Sequence, residues 1–250
     1  MDINNIIAEE GCSCGKKHIT SIDALVVGNG VISHVPDYVK KYSAKKTFVL
    51  ADANTYRVAG EKVCKILEEA GINYSKYVFP TGENEPDEYS VGSAVMHYDS
   101  SCDIVIGVGS GVINDIGKII SNIADKPYII VGTAPSMDGF ASASSSMSRD
   151  GLKISLPSKC ANVVIGDIDI LKEAPMHMLQ SGLGDMVAKY VSICEWRIAN
   201  LLVGEYYCEA VAQLVRDSLK KCTDNAEGLL KRDEEAVKAV FEGLVLCGLA

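Results

Sequence analysis

The chain has no long apolar run, no excess of basic residues and no repeat of fixed period. No stretch reaches the about 18 consecutive apolar residues that indicate a membrane-spanning helix. Residues 1–10 also lack the basic start and long apolar core of a secretion signal. The formal net charge of −9 disfavours nucleic acid and anionic membranes as partners. The sequence therefore predicts no membrane span, no secretion and a small molecule as the ligand.

Histidine is scarce, with four residues in the chain, whereas cysteine is plentiful, with nine. An odd number of cysteines, spread from Cys12 to Cys247 and partly inside apolar runs, is typical of reduced thiols rather than of a disulfide framework. The sequence therefore predicts a cytoplasmic protein. Cys12, Cys14 and His18 could hold a zinc ion, but no fourth ligand follows at regular spacing, so the sequence does not predict a zinc site there.

Residues 22–131 alternate short β-branched runs with longer amphipathic stretches, which is typical of successive βαβ units around a parallel sheet. The expected strands are Ala24–Val27, Thr47–Ala51, Tyr74–Phe79, Ile104–Gly107 and Tyr128–Val131. Further along, Asp150-Gly151 predicts the turn of a hairpin. Its strands are expected at Ser146–Arg149 and Leu152–Leu156, and another strand is expected at Val163–Ile165.

From Met176 onward the sequence predicts helices alone, over Met178–Leu202, Tyr206–Leu230 and Glu234–Leu249. We therefore expect a domain boundary near Pro175. Residues 1–175 would form an α/β dinucleotide-binding domain, and residues 176–250 an all-α metal and substrate domain. The apolar stripe of the last helix runs to Ala250 without a capping residue, so this second domain is expected to be incomplete at its C-terminal end.

A glycine-rich turn links the strand at Ile104 to an amphipathic helix, with the sequence GVGSGVINDIGK over 107–118. Glycines let the backbone approach a diphosphate, whose charge is met by the N–H groups at the start of the helix. Gly109, Ser110 and Gly111 are therefore predicted to bind a dinucleotide. A tight turn without a ligand is the alternative interpretation.

Asp52 stands at the end of the second predicted strand, where a carboxylate can accept hydrogen bonds from a ribose. Its charge would repel a 2′-phosphate and favour NAD over NADP. A helix N-cap is the alternative role for this residue.

Three motifs resemble those of the sn-glycerol-1-phosphate dehydrogenases, particularly the bacterial type. They are the glycine turn, GTAPSMDGFAS over 132–142 and SGLGDMVAKY over 181–190. The opening CSCGKKH over 12–18 is also similar to that of bacterial members. These dehydrogenases belong to the wider group of iron-dependent alcohol dehydrogenases, glycerol dehydrogenase and dehydroquinate synthase. The resemblance implies a dehydroquinate synthase-like fold.

The resemblance also implies roles for individual residues. The cofactor, NAD or NADP, would have its diphosphate on Gly111, Val112, Ile113, Asn114 and Asp115. The rest of the cofactor site would be Thr133, Ala134, Pro135, Ser136 and Ser142. Asp138 would contact the substrate, and the catalytic Asp185 would bind both the substrate and one divalent metal, Zn, Ni or Fe. In the alternative interpretation these residues have structural roles only: the serines could cap turns, and Asp138 could stabilise the Asp138-Gly139 bend.

The implied reaction is reversible reduction of dihydroxyacetone phosphate to sn-glycerol-1-phosphate, with the metal as Lewis acid on the ketone oxygen. Family members complete the metal site with two later histidines, and none of the four histidines here lies in the matching region. The alternatives are a dehydroquinate synthase-like carbon–oxygen lyase and a catalytically incomplete nucleotide-binding fragment. The expected partners are a small phosphorylated polyol or ketone and further copies of the chain in a homo-oligomer.

Overall fold

A computed structural model describes residues 12–18, 20, 22–80 and 84–249. Residues 1–11, 19, 21, 81–83 and 250 lie outside the described residues, and so do the predictions that residues 1–10 lack a secretion signal and that an apolar stripe reaches Ala250. The main sheet has six parallel strands in the order β1-β8-β5-β4-β2-β3. Their bounds are β1 Ala24–Gly28, β2 Lys46–Asp52, β3 Asn73–Phe79, β4 Ile104–Gly109, β5 Tyr128–Gly132 and β8 Val163–Asp167. The predicted parallel sheet is confirmed.

Helices cover both faces of this sheet. Helix α1 (Val35–Lys41) precedes β2. Between β2 and β3 lie α2 (Ala53–Thr55), a π-helical turn (Tyr56–Gly60) and α3 (Glu61–Glu69). Helix α4 (Glu88–His97) precedes β4. Val63 and Leu67 of α3 belong to one buried cluster. Ile116 and Ile120 of α5 (Gly111–Ala124) belong to a different buried cluster. The connections after β2 and β4 thus run to opposite sides, which opens a crevice between the ends of these strands.

A separate hairpin pairs β6 (Ser144–Arg149) with β7 (Leu152–Pro157). Its turn is formed by Asp150 and Gly151, both with positive φ, as the sequence predicts for this turn. The pairing extends further than predicted, because Ser144 and Pro157 still face each other in register.

The rest of the chain is helical, with α6 (Ile168–Leu171), α7 (Met176–Val203), α8 (Glu209–Asp224), α9 (Ala226–Leu230) and α10 (Glu234–Leu249). The prediction of one helix over Tyr206–Leu230 is wrong at two places. Residues 204–208 are not helical, and Trp196 Nε1 donates a hydrogen bond to the backbone oxygen of Tyr206 at 2.5 Å. Asn225 breaks the helix, and its side chain bonds to the oxygen of Lys221 at 2.8 Å.

The helical layer packs against the carboxyl edge of the sheet. Phe241 of α10 lies against Gly132 and Gly166, the glycines near the ends of β5 and β8. Buried residues of the sheet and of α10 form one continuous apolar cluster. Helix α7 begins directly after Pro175, and the division into two domains there stays a prediction. Among the residues whose placement is described, no helix is long and apolar enough to cross a membrane.

The packing of Phe241 predicts that Gly166 tolerates no side chain. A Cβ there would lie 2.3 Å from Cε1 of the buried Phe241 ring. Gly166→Ala should therefore lower the free energy of unfolding, measured in urea, by about 1–3 kcal/mol. The control Gly92→Ala, in α4 with no atom near the new Cβ, should raise it by up to about 1 kcal/mol. Gly166→Ala should lower the free energy of unfolding by less when Phe241 is replaced by Leu. An equal loss with Phe241 and with Leu at this position would contradict this packing.

Candidate functional site

A cavity of about 760 Å³ opens at the carboxyl ends of β2, β4 and β5. Its wall includes Asp52 at the end of β2, Ser110 and Gly111 after β4, and Thr133 after β5. Pro175 and Met178 of the helical layer line it from the opposite side. The predicted cofactor residues that the structure brings together in this wall are Asp52, Ser110, Gly111, Val112, Ile113, Thr133, Ala134 and Ser136.

The glycine turn places the start of helix α5 at this cavity. The two glycines of the turn have different surroundings. A Cβ at Gly109 would lie 2.6 Å from Cβ of Ile113, so Gly109 allows the helix to pack closely on its own strand. A Cβ at Gly111 would meet its nearest neighbour, Met137 Cγ, at 3.6 Å, an ordinary contact distance. Gly111 is therefore the glycine that leaves space for a ligand at the helix N-terminus.

Asp52 acts as an N-cap in the structure. Its Oδ1 accepts hydrogen bonds from the backbone N–H groups of Asn54 at 2.8 Å and Thr55 at 2.9 Å. The hydroxyl of Thr55 accepts a bond from the backbone N–H of Asp52 at 3.0 Å, which completes a capping box. Because both cap bonds use Oδ1 and Asp52 also lines the cavity, the cap leaves Oδ2 for a ligand. The contact with a ribose stays a prediction.

The loop after β5 is tied to the glycine turn. Thr133 N–H donates to the backbone oxygen of Gly109 at 3.1 Å. The hydroxyls of Ser110 and Ser136 lie 2.6 Å apart, and Ser110 Oγ also bonds to the oxygen of Ala134 at 3.3 Å. The two loops therefore form one wall of the cavity with hydroxyl groups in it.

A second group of predicted cofactor residues makes hydrogen bonds within the protein. Asn114 Nδ2 donates to the oxygen of Gly139 at 2.8 Å. Ser142 Oγ donates to the oxygens of Gly139 at 3.2 Å and Ser144 at 2.9 Å. Asp115 is largely buried, which raises the pKa of its carboxyl group, and it pairs with Lys118 at 3.0 Å. Their predicted contacts with the cofactor stay predictions.

Lys118 is a residue that the sequence reasoning missed. Its side chain is fully buried, and its ammonium group contacts the oxygen of Gly139 and the hydroxyl of Ser142, each at 3.2 Å. It also donates to the backbone oxygen of Ser144. Lys118 thereby fastens the loop after β5 to helix α5. The spacing of three residues from Asp115 was the available signal, because such residues lie on one face of a helix.

The predicted substrate residues, Asp138 in the loop after β5 and Asp185 in helix α7, are in direct contact. Asp185 Oδ2 accepts a hydrogen bond from the backbone N–H of Asp138 at 2.8 Å. Lys189, one helical turn after Asp185, lies 3.2 Å from Asp185 Oδ1 and also bonds to Asp138 Oδ2. Burial lowers the pKa of Lys189, but the bonds and charges of the two carboxylates outweigh it and raise the pKa. Lys189 was present in the motif but was given no role.

The described residues do not by themselves fit a catalytic metal at Asp185. Lys189 already neutralises this carboxylate, and the neighbouring Val187 and Tyr190 are exposed. A catalytic zinc site needs three protein ligands. The group of three or more His, Cys, Asp or Glu found within the described part of the chain lies elsewhere. Metal ligation by Asp185 stays a prediction.

Comparison with known proteins agrees with this architecture. A family model described as iron-containing alcohol dehydrogenase matches residues 26–175. The glycerol-1-phosphate dehydrogenase [NAD(P)+] of Halalkalibacterium halodurans is 32% identical over 243 residues, which are 96% of this chain and 61% of that protein. The enzyme of the same name from Methanosarcina mazei is 30% identical over 90% of this chain and 63% of its own length. The resemblance to this enzyme group is confirmed.

Solved structures give the same result for the fold. A glycerol dehydrogenase from Schizosaccharomyces pombe superposes with a TM-score of 0.81 at 26% identity, covering 94% of this chain and 62% of that one. An iron-containing alcohol dehydrogenase from Thermotoga maritima, at 16% identity, has a TM-score of 0.79 over 93% and 68% of the two chains and supports the fold alone. The predicted α/β part followed by a helical part is confirmed. The chain spans about three fifths of the length of the curated relatives it matches, and it belongs to the iron-containing alcohol dehydrogenase family.

Proposed function

We propose that the chain provides the cofactor and substrate sites for NAD(P)-dependent, reversible reduction of dihydroxyacetone phosphate to sn-glycerol-1-phosphate. The observation that carries this proposal is the juxtaposition of two sites along one loop. The hydroxyl of Ser136 lines the cavity at the start of α5, and Asp138, two residues later, belongs to the charged cluster with Asp185 and Lys189. The relatives named glycerol-1-phosphate dehydrogenase [NAD(P)+] share this whole region.

The cavity suits a dinucleotide in size and chemistry. Its volume of about 760 Å³ lies in the usual range for ligand and cofactor sites. The diphosphate would lie over Ser110 and Gly111 at the N-terminus of α5, where backbone N–H groups face negative charge. A ribose would bond to Oδ2 of Asp52, the oxygen that the helix cap leaves unused.

The charged cluster would receive the substrate. Reduction transfers a hydride from the nicotinamide to the ketone carbon, and the ketone oxygen gains negative charge before it takes a proton. Lys189 keeps its positive charge, because its pKa is raised, and so it supplies positive charge next to the substrate residues. Asp138 and Asp185 both pair with the Lys189 ammonium group and hold it between them.

The assignment of the cofactor site predicts a selective effect of Gly111→Val. The new branched side chain would enter the cavity, while its Cβ has an ordinary contact distance to Met137. We expect the Kd for NADH, measured by fluorescence titration, to rise at least about tenfold, a change of about 1.4 kcal/mol. The control Gly92→Val, in a position without near neighbours, should leave the Kd unchanged. Unchanged NADH affinity in folded Gly111→Val would contradict the assignment.

The role of Asp52 in cofactor choice can be separated from its role as a cap. Asp52→Ser removes the negative charge but keeps a side-chain oxygen that caps helices well. The ratio of kcat/KM for NADPH to that for NADH should rise roughly tenfold, because a repulsion of about 1.4 kcal/mol against the 2′-phosphate is lost. Asp87→Ser, at the cap of α4, is the matched control. If the ratio does not move, Asp52 is a cap and nothing more.

The function itself is tested by Asp185→Asn in an assay of NADH-dependent reduction of dihydroxyacetone phosphate. We expect kcat/KM to fall on the order of 100-fold, because Asp185 holds both the Lys189 ammonium group and the backbone of Asp138 in place, while the Kd for NADH stays nearly constant. Asp224→Asn is the matched control, since Asp224 forms the same type of pair with Lys220 one turn away, at 2.7 Å, on an exposed helix face.

The identity of the product decides between the proposal and the lyase alternative. A dehydrogenase consumes one NADH for each sn-glycerol-1-phosphate formed, whereas a lyase that oxidises its substrate transiently shows no net change in NADH. Wild-type protein that binds NADH but leaves dihydroxyacetone phosphate unreduced, or Asp185→Asn protein with full activity, would overturn the proposed function.

A further inference from the structure

Four potential metal ligands come together in a group that shares no residue with the lining of the cofactor cavity. They are Cys12, Cys14 and His18 from the first described segment and Cys208 from the connection between α7 and α8. One ligand atom of each residue lies within 4.8 Å of all the others. The fourth ligand that the sequence analysis could not find is therefore supplied by a residue 190 positions after His18.

Three of the six distances within this group are close to those of a tetrahedral shell, and all six are at most 4.8 Å. Cys12 Sγ lies 3.5 Å from Cys208 Sγ, and His18 Nε2 lies 3.3 Å from Cys14 Sγ and 3.4 Å from Cys208 Sγ. Zinc bonds of about 2.3 Å to sulfur and about 2.0 Å to nitrogen place tetrahedral ligand atoms roughly 3.5–3.8 Å apart. The four atoms could thus enclose one ion after shifts of at most about one ångström.

The surroundings of Cys14 suit a metal-bound thiolate, and two of the other ligands are shielded from solvent. Cys12 and Cys208 are buried, at 8% and 1% exposure. Cys14 Sγ accepts hydrogen bonds from Tyr206 Oη at 3.2 Å and from the backbone N–H of Lys16 at 3.4 Å. Donors of this kind orient metal-bound sulfur and stabilise its charge.

The backbone also presents the ligands in a suitable way. Gly15 has φ of 75°, and its N–H bonds to the oxygen of Cys12 at 2.9 Å. This tight turn brings both cysteine sulfurs of the segment to one side. Cys208 stands in extended conformation just before α8, and its side chain makes no capping bond to the helix, which leaves its sulfur to face the other ligands.

We propose that Cys12, Cys14, His18 and Cys208 bind one zinc ion as a structural site. Three sulfurs and one imidazole nitrogen fill a tetrahedral shell, so no position is open for a substrate. Sulfur-rich ligand sets select zinc over the oxygen-binding divalent metals. The ion would fasten residues 12–18 to the α7–α8 connection and shares no ligand with the Asp138–Asp185–Lys189 cluster.

A disulfide explains the group less well. A bond between Cys12 and Cys208 would use two of the four side chains and would give no reason for His18 to contact both Cys14 and Cys208. The tyrosine hydroxyl aimed at Cys14 would also be unexplained. A closed zinc shell accounts for all four residues.

Metal analysis and cobalt substitution of the 250-residue chain test the proposal. Protein purified without chelator should contain one tightly held zinc per chain, and X-ray absorption should show zinc–sulfur bonds near 2.3 Å. After exchange with Co²⁺, the spectrum should have intense thiolate-to-cobalt absorption and the visible bands of a tetrahedral ion. Cys208→Ser should lose this zinc, whereas Cys194→Ser, which changes an exposed cysteine of α7, should keep it.

Thiolate absorption distinguishes this site from a metal held by Asp185, which offers oxygen. Asp185→Asn should leave the cobalt–thiolate spectrum unchanged. The spectrum of the wild-type protein decides the question even if Cys208→Ser fails to fold. Cobalt bound without thiolate absorption, protein that takes up no zinc when its thiols are reduced, or a Cys12–Cys208 disulfide seen by mass spectrometry of freshly purified protein would each overturn the proposal.

Discussion

Close contact between the helical layer and the carboxyl edge of the sheet is the constraint on which the site depends. The contact is possible because glycines stand where the two layers meet. A Cβ at Gly182 of α7 would lie 1.8 Å from the backbone oxygen of Pro135, and one at Gly248 of α10 would lie 2.3 Å from the oxygen of Asp138. Interiors packed this closely do not yield to an added methyl group. The two helices therefore fix the loop that carries Ser136 and Asp138.

The same contact sets the electrostatics of the Asp138–Asp185–Lys189 cluster. Asp185 lies one residue beyond Gly184 on α7, and the closeness of that helix lets its carboxylate accept a bond from the backbone of Asp138. Lys189 then falls between the two carboxylates. Two carboxylates around one ammonium group leave a net negative charge, so the cluster can accept one more positive charge but would repel a further anion. The phosphate of the proposed substrate would therefore bind away from Asp138 and Asp185.

Sequence reasoning succeeded where the signal is local. Alternating β-branched runs predicted all six strands of the main sheet, and Asp150-Gly151 predicted the hairpin turn, because strand periodicity and turn conformation depend on neighbouring residues. The strand ends were predicted less well. Strand β4 continues to Gly109 because its last residues pair with Val131 and Gly132 of β5, and no local pattern contains that pairing.

Contacts between distant parts of the chain explain what the sequence could not show. In the sequence, Lys118 looks like an ordinary polar residue of an amphipathic helix. It is buried because the chain at residues 139 and 144 packs over it and offers backbone oxygens to its ammonium group. Cys208 likewise lies near the start of the helix predicted over Tyr206–Leu230, which gives it a helical conformation. In the structure it is extended and precedes the helix. The break before α8 turns its sulfur towards Cys12 and His18. A ligand set divided over 196 positions can be recognised only after the chain has folded, because its spacing follows the tertiary structure and no secondary-structure period.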